Sequence, residues 1–157
     1  MIFSADALLS TAEHVRNAIP LCRHLEFQYD GLDEQFCLAM SAPLAPNVND
    51  KGTFFAGSQS ALLTLSGWSL TTLLARYKGY QVDVVAVSSA ISYAAPLKTA
   101  ISLRATASDS AEQDRFFERL QRRGKCSIQV EVNAFNRDNE KVSHLAGRFY
   151  ARCLPDS

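Results

Sequence analysis

A short polar segment and the helix start that follows it hold the residues of this sequence best suited to chemistry. Asn49, Asp50 and Gly52 lie in the segment, and Gly57 and Ser58 begin the helix. The first turn of a helix carries unpaired backbone N–H groups and a partial positive charge. Because Gly57 has no side chain, a carbonyl group can approach it, and the N–H groups of Gly57 and Ser58 can hold the oxyanion formed on attack. This segment is therefore able to bind and polarise a carbonyl group.

Neighbouring side chains supply candidate partners for that carbonyl. Asn49 can bind it or orient a water, and Asp50 is the nearest carboxylate in sequence and the first candidate for a general base. Ser60 and Thr64, one turn apart on one helix face, can position the water but are poor bases unaided. The simpler interpretations are that Asn47 and Asn49 form the loop, that Asp50 is a solvated charge and that Thr64 packs in the helix.

The composition excludes several other classes of function. Sixteen basic residues balance sixteen acidic ones, which gives no support for a nucleic-acid partner. The three histidines have no ligand spacing, so no metal site is predicted and each is interpreted as a surface or hydrogen-bonded side chain. The four cysteines form no C-x-x-C pair and are interpreted as reduced core residues. The first residues do not resemble a signal peptide, so a cytoplasmic protein is expected.

The longest element is predicted from a run without charge. No charged residue occurs between Lys51 and Arg76, and the spacing predicts a helix over roughly 56–78 that ends before Gly79. A membrane helix needs about 20 predominantly apolar residues, and here serines, threonines and glycines interrupt the run. We therefore predict a helix enclosed by protein on nearly all sides and no membrane span.

Alternating apolar and polar residues predict the strands around this helix. An amphipathic helix over 8–19, with Ser10 and Glu13 as a capping box, is expected to precede them. Strands are predicted at Leu25–Tyr29 and Phe36–Met40 around an Asp30-Gly31 turn, at Val85–Tyr93 with the odd-numbered residues on one face, and at 101–107, 126–134 and 142–153. Residues 110–125 are predicted to be a charged insertion with a weak helical stripe.

This order of elements predicts an α+β fold in one domain, residues 1–157. A curved antiparallel sheet wrapped around the long central helix is the economical way to enclose an uncharged helix, and this is the hotdog arrangement. A curved sheet of this size keeps open edges, and two such sheets commonly pair edge to edge. A homodimer or a larger homo-oligomer, such as a tetramer, is therefore expected.

Residues 43–68, which run from Pro43 to Trp68, resemble the signature of the YiiD-type C-terminal domain, a thioesterase family of the hotdog superfamily. The Tyr93–Pro96 strand end, Gly124-Lys125 before a strand and the final hairpin fall where that family has them. The resemblance implies hydrolysis of an acyl thioester, carried by coenzyme A or by the phosphopantetheine of an acyl carrier protein, with no further cofactor. In this interpretation the catalytic candidates are Asn49, Asp50, Gly57 and Thr64, and the substrate-binding candidates are Asn47, Gly52, Phe55, Ser58 and Ser60.

The chain also departs from its wider superfamily. Asn49 and Gly52 match an Asn or Asp placed three residues before a glycine. Relatives resembling the phenylacetyl-CoA thioesterases then have a His-Gly-Gly motif and an acidic residue in the helix, where this chain has Phe55-Ala56-Gly57 and Thr64. The missing carboxylate leaves two alternatives, a non-catalytic acyl-thioester-binding module and a partner of an acetyltransferase. A second open question is whether basic side chains between 115 and 125 bind the phosphates of coenzyme A. These side chains are Arg115, Arg119, Arg122, Arg123 and Lys125.

Overall fold

The computed structural model describes residues 1–155, so Asp156 and Ser157 of the predicted domain lie outside the described residues. The elements along the chain are α1 (Ala5–Ala18), α2 (Leu21–Leu25), β1 (Gln28–Leu32), β2 (Leu38–Ala42), a 3-10 turn (Ala45–Asn47), α3 (Ala56–Tyr77), β3 (Val82–Tyr93), β4 (Ile101–Ala107), α4 (Ser110–Arg123), β5 (Lys125–Phe135) and β6 (Lys141–Cys153). The six strands form one antiparallel sheet in the order β1-β2-β4-β5-β6-β3.

The sheet wraps around α3, which confirms the predicted α+β hotdog fold. Within α3 every residue from Ser69 to Ala75 is buried, so this half of the helix is enclosed on all sides. Small polar residues tolerate this burial because they bond to the helix itself. The Ser66 and Thr71 hydroxyls donate to the carbonyls of Leu62 and Gly67, at 2.8 and 2.9 Å. None of the helices in residues 1–155 combines the length and the apolar character that a membrane span requires.

Strands β4, β5 and β6 follow the predicted alternation. On β5 the side chains of Ile128, Val130 and Val132 are at most 1% exposed, while the residues between them face away from α3. The turn predicted at 136–139 joins β5 to β6, and the Asn136 side chain accepts hydrogen bonds from two backbone N–H groups within it. The two strands pair along almost their whole length and form the regular centre of the sheet.

The N-terminal segment differs from its prediction in three ways. Helix α1 begins at Ala5 and is capped by Ser4, whose hydroxyl accepts a bond from Ala7 N, so the predicted capping box at Ser10 is wrong. Residues 21–25 form α2, so the strand predicted from Leu25 begins three residues later. The predicted Asp30-Gly31 turn lies inside β1, and the reversal comes at 33–36, where Asp33 accepts bonds from two backbone N–H groups.

Strand β3 forms one edge of the sheet, and its predicted face pattern is wrong. The register against β6 shifts between Ala86 and Ser88, which marks a bulge at Val87. Val85 lies opposite Tyr150 on the outer face, whereas Ile91 lies opposite the buried Leu145 on the inner face. The extra residue therefore reverses the alternation, and the odd-numbered residues do not share one face.

The charged insertion forms the regular helix α4. Asp109 caps it by accepting a bond from Glu112 N at 2.7 Å, and Gly124 ends it with φ +64°. The apolar stripe of Phe116 and Leu120 is buried, so α4 belongs to the core on one face. The Glu112 carboxylate also accepts a bond from Gln129 N, which ties the helix to β5.

Candidate active site at the start of the central helix

Two hydrogen bonds hold the first turn of α3 in place, and no side chain caps its N-terminus. Phe55 occupies the N-cap position and supplies no side-chain cap, and no acidic residue lies in the first turn. Its backbone N–H donates to Asn47 O at 2.7 Å, and the Tyr93 hydroxyl donates to Ala56 O at 3.2 Å. Backbone and strand contacts therefore place the helix start without using its free N–H groups.

Asn49 closes the loop that leads into α3. Its side-chain oxygen accepts bonds from the N–H groups of Lys51 and Thr53, at 2.9 and 3.0 Å, and its Nδ2 donates to Thr53 Oγ1 at 2.9 Å. Gly52 takes φ +74° at the tip of this loop, a conformation that favours glycine. These are the bonds of a loop former, and the predicted contact of Asn49 with a substrate carbonyl stays a prediction.

Asn47 joins three segments beneath the helix start. Its buried side chain donates through Nδ2 to the carbonyls of Leu25 and Pro43, at 3.0 and 2.9 Å, and its own carbonyl accepts from Phe55 N. Its Oδ1 has no partner within residues 1–155. Asn47 therefore positions α2 and α3 relative to each other, and its role as a substrate contact stays a prediction.

Asp50, the candidate base, lies on the outside of the loop. Its carboxylate pairs with Lys51 Nζ at 2.9 Å, and both side chains are at least 75% exposed. Within the described residues no hydrogen bond links this carboxylate to α3. The loop therefore presents Asp50 to solvent, in the position of a solvated charge.

The ring of Phe55 lies over Gly57. A Cβ built on Gly57 would come within 2.4 Å of Phe55 Cε1, so the space above this glycine is filled by the ring. Phe55 is 53% exposed and can rotate, whereas Phe54 beside it is buried in the core. Ser58 is half-buried in the same turn. A carbonyl reaching the N–H groups of Gly57 and Ser58 from this side must displace the Phe55 ring.

Ser60 and Thr64 face an apolar groove. The Ser60 hydroxyl donates to Gly57 O at 2.9 Å, which keeps this side chain against the first turn. The groove has a volume of about 330 Å³, and we call it the α2–α3 groove. Its α3 wall consists of Ser60, Ala61, Thr64, Leu65 and Trp68, and the opposite wall consists of Ile19, Leu21, Cys22 and Leu25.

Burial controls the chemistry of the one thiol in this groove. Desolvation raises the pKa of Cys22, so its thiol stays protonated at neutral pH. A protonated thiol is a weak nucleophile, since the thiolate is the reactive form. Cys22 is therefore a wall residue, and none of the nine residues that line the groove carries a charge.

A second, polar pocket lies on the other side of Trp68. It has a volume of about 480 Å³ and includes His14, Thr72, Arg76 and Asp83. The half-buried Arg76 donates to Thr11 Oγ1 at 3.3 Å and makes no salt bridge within residues 1–155. Trp68 lines both pockets and separates the apolar groove from this polar one.

The structure also shows polar groups that sequence reasoning missed. Gln59 is 4% exposed and donates to Phe54 O at 3.2 Å, while its Oε1 has no partner within the described residues. Ser143 on β6 is 1% exposed and its Oγ likewise has no partner there. The sequence gives a signal for Gln59 alone, because a glutamine at this position of the predicted helix faces the sheet. Buried polar atoms without partners are rare in folded proteins, so both are candidates for contact with a ligand or water.

The predicted residues thus fall into two groups. Gly57, Ser58, Ser60 and Thr64 lie on the first three turns of α3, and the Phe55 ring covers Gly57. Asn47, Asn49 and Gly52 build the loop beneath, while Asp50 points outward. Of the basic side chains proposed for coenzyme A phosphates, Arg115 pairs with Glu112 at 2.8 Å and Arg122 pairs with Glu118 at 3.2 Å.

The histidines lie in three separate places. His24 lies on α2 and not at a strand start, and His14 lies on α1 beside the polar pocket. His144 pairs with Glu131 across β5 and β6, which confirms its interpretation as a hydrogen-bonded histidine. Within residues 1–155 no group of three or more His, Cys, Asp or Glu side chains is arranged to hold a metal ion.

A curved antiparallel sheet wrapped around one long helix defines a protein of the hotdog type. The family model described as "Putative thioesterase (yiiD_Cterm)" matches residues 9–153, so the chain belongs to this family. Among curated proteins, none matches this sequence.

Solved structures agree with the family. The chain is similar to a structure described as "the putative thioesterase from Shewanella oneidensis", with 26% identity, a TM-score of 0.85 and coverage of 95% of this chain and 99% of that one. A protein of unknown function from Chlorobaculum tepidum is 22% identical, with a TM-score of 0.83 and coverage of 95% and 96%. A thioesterase from Haemophilus influenzae is 15% identical, with a TM-score of 0.71 and coverage of 98% and 94%. The last two likenesses show the fold alone.

Proposed function

We propose that this protein hydrolyses acyl thioesters of coenzyme A or of acyl carrier protein at the start of α3. Membership of the thioesterase family over residues 9–153 is the observation that carries the proposal. The uncapped first turn of α3 supports it, because its N–H groups become available to a carbonyl oxygen once the Phe55 ring moves aside. The same proposal includes the cytoplasmic location expected from the sequence.

The reaction needs one water molecule. The water oxygen attacks the thioester carbonyl carbon, and the negative charge on the carbonyl oxygen is held by the N–H groups of Gly57 and Ser58. When the intermediate collapses, the carbon–sulfur bond breaks and the sulfur receives the proton lost by the water. The products are a carboxylic acid and a free thiol. Ser60 and Thr64 position the water, and Asn49 and Asp50 are the candidates to orient and deprotonate it.

The start of α3 fits this role better than a thiol or histidine mechanism. The Cys22 thiol is protonated, and the groove is lined by no histidine or carboxylate. The rate enhancement therefore rests on preorganised N–H donors, which are among the largest single contributions to enzyme catalysis. Phe55 closes the site and rotates away when the acyl group enters, and Asn47 and Gly52 hold the loop that shapes the entrance.

A non-catalytic acyl-thioester-binding module is the second candidate. It is favoured by Thr64, which stands where related enzymes have a carboxylate, and by the exposed position of Asp50. Release of free thiol from a panel of acyl-CoA chain lengths separates the two candidates. Steady release that depends on enzyme concentration supports hydrolysis, and saturable binding without thiol release supports the binding module.

We also propose that the protein is a homodimer or tetramer assembled through β3. Within residues 1–155 this strand pairs with β6 alone, and its other edge is open over 12 residues. Val85 and Val87 are 55% and 47% exposed, which is unfavourable for an edge strand left in water.

Light scattering tests this assembly. We expect the mass of a dimer or tetramer at micromolar concentration, and a monomer mass for Val87→Glu, which adds a like charge to both strands of the pair. The exposed control Leu9→Glu on α1 should keep the mass of the unmodified protein. A stable monomer of the unmodified chain would contradict the proposed assembly.

A further inference from the structure

We infer that the α2–α3 groove binds the acyl chain of a medium-length thioester and that Trp68 closes its far end. The inference rests on the proposed function, because it places the thioester carbonyl at the start of α3. It goes beyond that function by naming the class of acyl group that the site accepts.

The groove begins where the reactive group would lie. Ser60 lines the groove and contacts Gly57, whose N–H is the proposed oxyanion donor. Thr64 and Trp68 follow at successive turns on the same helix face. An acyl chain whose carbonyl sits at Gly57 therefore continues directly into the groove.

The opposite wall exposes apolar side chains that folding does not explain. Leu21 is 60% exposed and Ile19 is 38% exposed, and both face the groove beside the buried Cys22 and Leu25. An uncharged wall on both sides favours a chain of methylene groups over the phosphopantetheine arm, whose amides need hydrogen-bond partners. Each buried methylene strengthens binding by about fourfold.

Trp68 sets the length of the groove. Its indole N–H donates to Val84 O at 2.9 Å, which fixes the ring against β3. Beyond the ring the lining becomes polar, with Thr72, Arg76 and Asp83. A methylene group placed there gains little binding free energy. From Ser60 to Trp68 the helix rises about 12 Å. An extended chain advances about 1.25 Å per carbon, so about eight to ten carbons fit.

Trp68 is also the only tryptophan in the chain, so its fluorescence reports on the groove without catalysis. We expect decanoyl-CoA and free decanoate to change the Trp68 emission, and acetyl-CoA and acetate to leave it unchanged. Free decanoate cannot be hydrolysed, so this measurement does not depend on turnover. Thiol release should be fastest at the chain lengths that change the emission.

Two groove variants test the walls. Ala61→Phe fills the groove, and we expect the ratio of decanoyl-CoA to acetyl-CoA turnover to fall at least tenfold. Leu21→Ser, at an exposed position that leaves folding intact, should lower the same ratio severalfold. The matched control Tyr77→Ala lies on the same helix outside the groove and should leave the ratio unchanged.

A third variant tests the end of the groove. Trp68→Ala removes the ring, and we expect the optimal acyl chain to lengthen by at least two carbons. An unchanged optimum would overturn the assignment of Trp68 as the end of the groove.

The outcomes separate this inference from the proposed function. An emission change with decanoate but no thiol release would support the groove and reject hydrolysis. Thiol release that is insensitive to Ala61→Phe and Leu21→Ser, with constant emission, would support hydrolysis and overturn the groove. Emission that changes on dilution and not with acyl chains would identify a second copy of the chain as the occupant, which also overturns it.

Discussion

The two ends of α3 are built in opposite ways. Residues Ser69–Ala75 are buried on every side, and their hydroxyls bond to neighbouring helix carbonyls or to β1. The first turn, from Ala56 to Ser60, has no side-chain cap and no acidic residue, and only Gln59 within it is buried. The buried end is held by packing, whereas the open end depends on the loop beneath it.

This difference suggests that the buried end of α3 stabilises the fold, whereas the open end is free to bind a ligand. A missing N-cap costs about 1 kcal/mol, which the buried end can offset through its packing. The N–H groups that would otherwise be capped are then free for a ligand. Substitutions at the buried end should therefore change folding, and substitutions at the open end should change turnover.

Gly67→Val should have the largest effect, and it acts on folding. A Cβ at Gly67 would lie 2.4 Å from Phe149 Cε2, and that ring is 1% exposed and cannot move into solvent. We expect a loss of at least about 3 kcal/mol, which lowers the melting temperature by roughly 10 °C or prevents folding. Thermal unfolding followed by circular dichroism measures the change. A melting temperature within about 2 °C of the original, which corresponds to less than about 1 kcal/mol, would show that packing around Gly67 does not hold the buried end.

Gly57→Val is the matched substitution at the open end. Its side chain would also meet a ring, that of Phe55, but this ring is 53% exposed and can rotate away. We expect turnover to fall about 100-fold through loss of access to the N–H groups, with a stability change within about 1 kcal/mol. Equal losses of melting temperature and turnover would instead indicate that Gly57 is a structural glycine.

Much of this architecture is predictable from the sequence, for physical reasons. The charge-free run predicts α3 to within one residue of its observed end, because an uncharged helix of that length must be enclosed. Strict alternation predicts β4, β5 and β6, which pair regularly with buried neighbours. Strand β3 keeps a similar pattern of residues, but the bulge at Val87 reverses its faces. A bulge depends on the partner strand, so local alternation does not reveal it.

The candidate site is less predictable than the fold. The sequence identifies Asn49 as a polar residue near a helix start. It does not show that the oxygen and the nitrogen of the Asn49 side chain both make hydrogen bonds within the loop. It also assigns Leu25 to a strand, so the wall that α2 contributes to the groove was missed. Both errors concern contacts between segments, which residue type and spacing alone do not determine.

Asn49→Ala tests how far the open end depends on its loop. The substitution removes three hydrogen bonds within residues 49–53, so we expect a loss of about 1 to 2 kcal/mol. Turnover should fall about tenfold, because the start of α3 loses part of its support. Chemical denaturation and thiol release measure the two effects.

Asn49→Asp is the informative control. A carboxylate still accepts from the two N–H groups, and the Thr53 hydroxyl can donate to it, so the loop is retained. Turnover close to that of the original protein would support the loop role. A fall of about 100-fold in both variants at unchanged stability would instead assign Asn49 to direct contact with the thioester.

Tyr29→Phe should have the smallest effect, and it tests the buried end alone. The Tyr29 hydroxyl lies 2.6 Å from Ser69 Oγ, and burial raises the pKa of Tyr29 to about 12. In the unfolded chain the phenol has a pKa of about 10, so between pH 10 and pH 12 the folded state holds a proton that the unfolded state has lost. The stabilisation from the neutral phenol is therefore complete below about pH 10 and is lost as the pH rises toward about 12.

We expect Tyr29→Phe to cost about 1 kcal/mol at pH 7 and to remove this alkaline loss, leaving turnover unchanged. Urea denaturation at pH 8, 10 and 11 measures this loss of stability, and Tyr77→Phe, at a 46% exposed tyrosine in the last turn of α3, is the control that keeps it. If Tyr29→Phe loses stability between pH 8 and pH 11 as steeply as the original protein, the Tyr29–Ser69 pair does not cause the alkaline loss of stability.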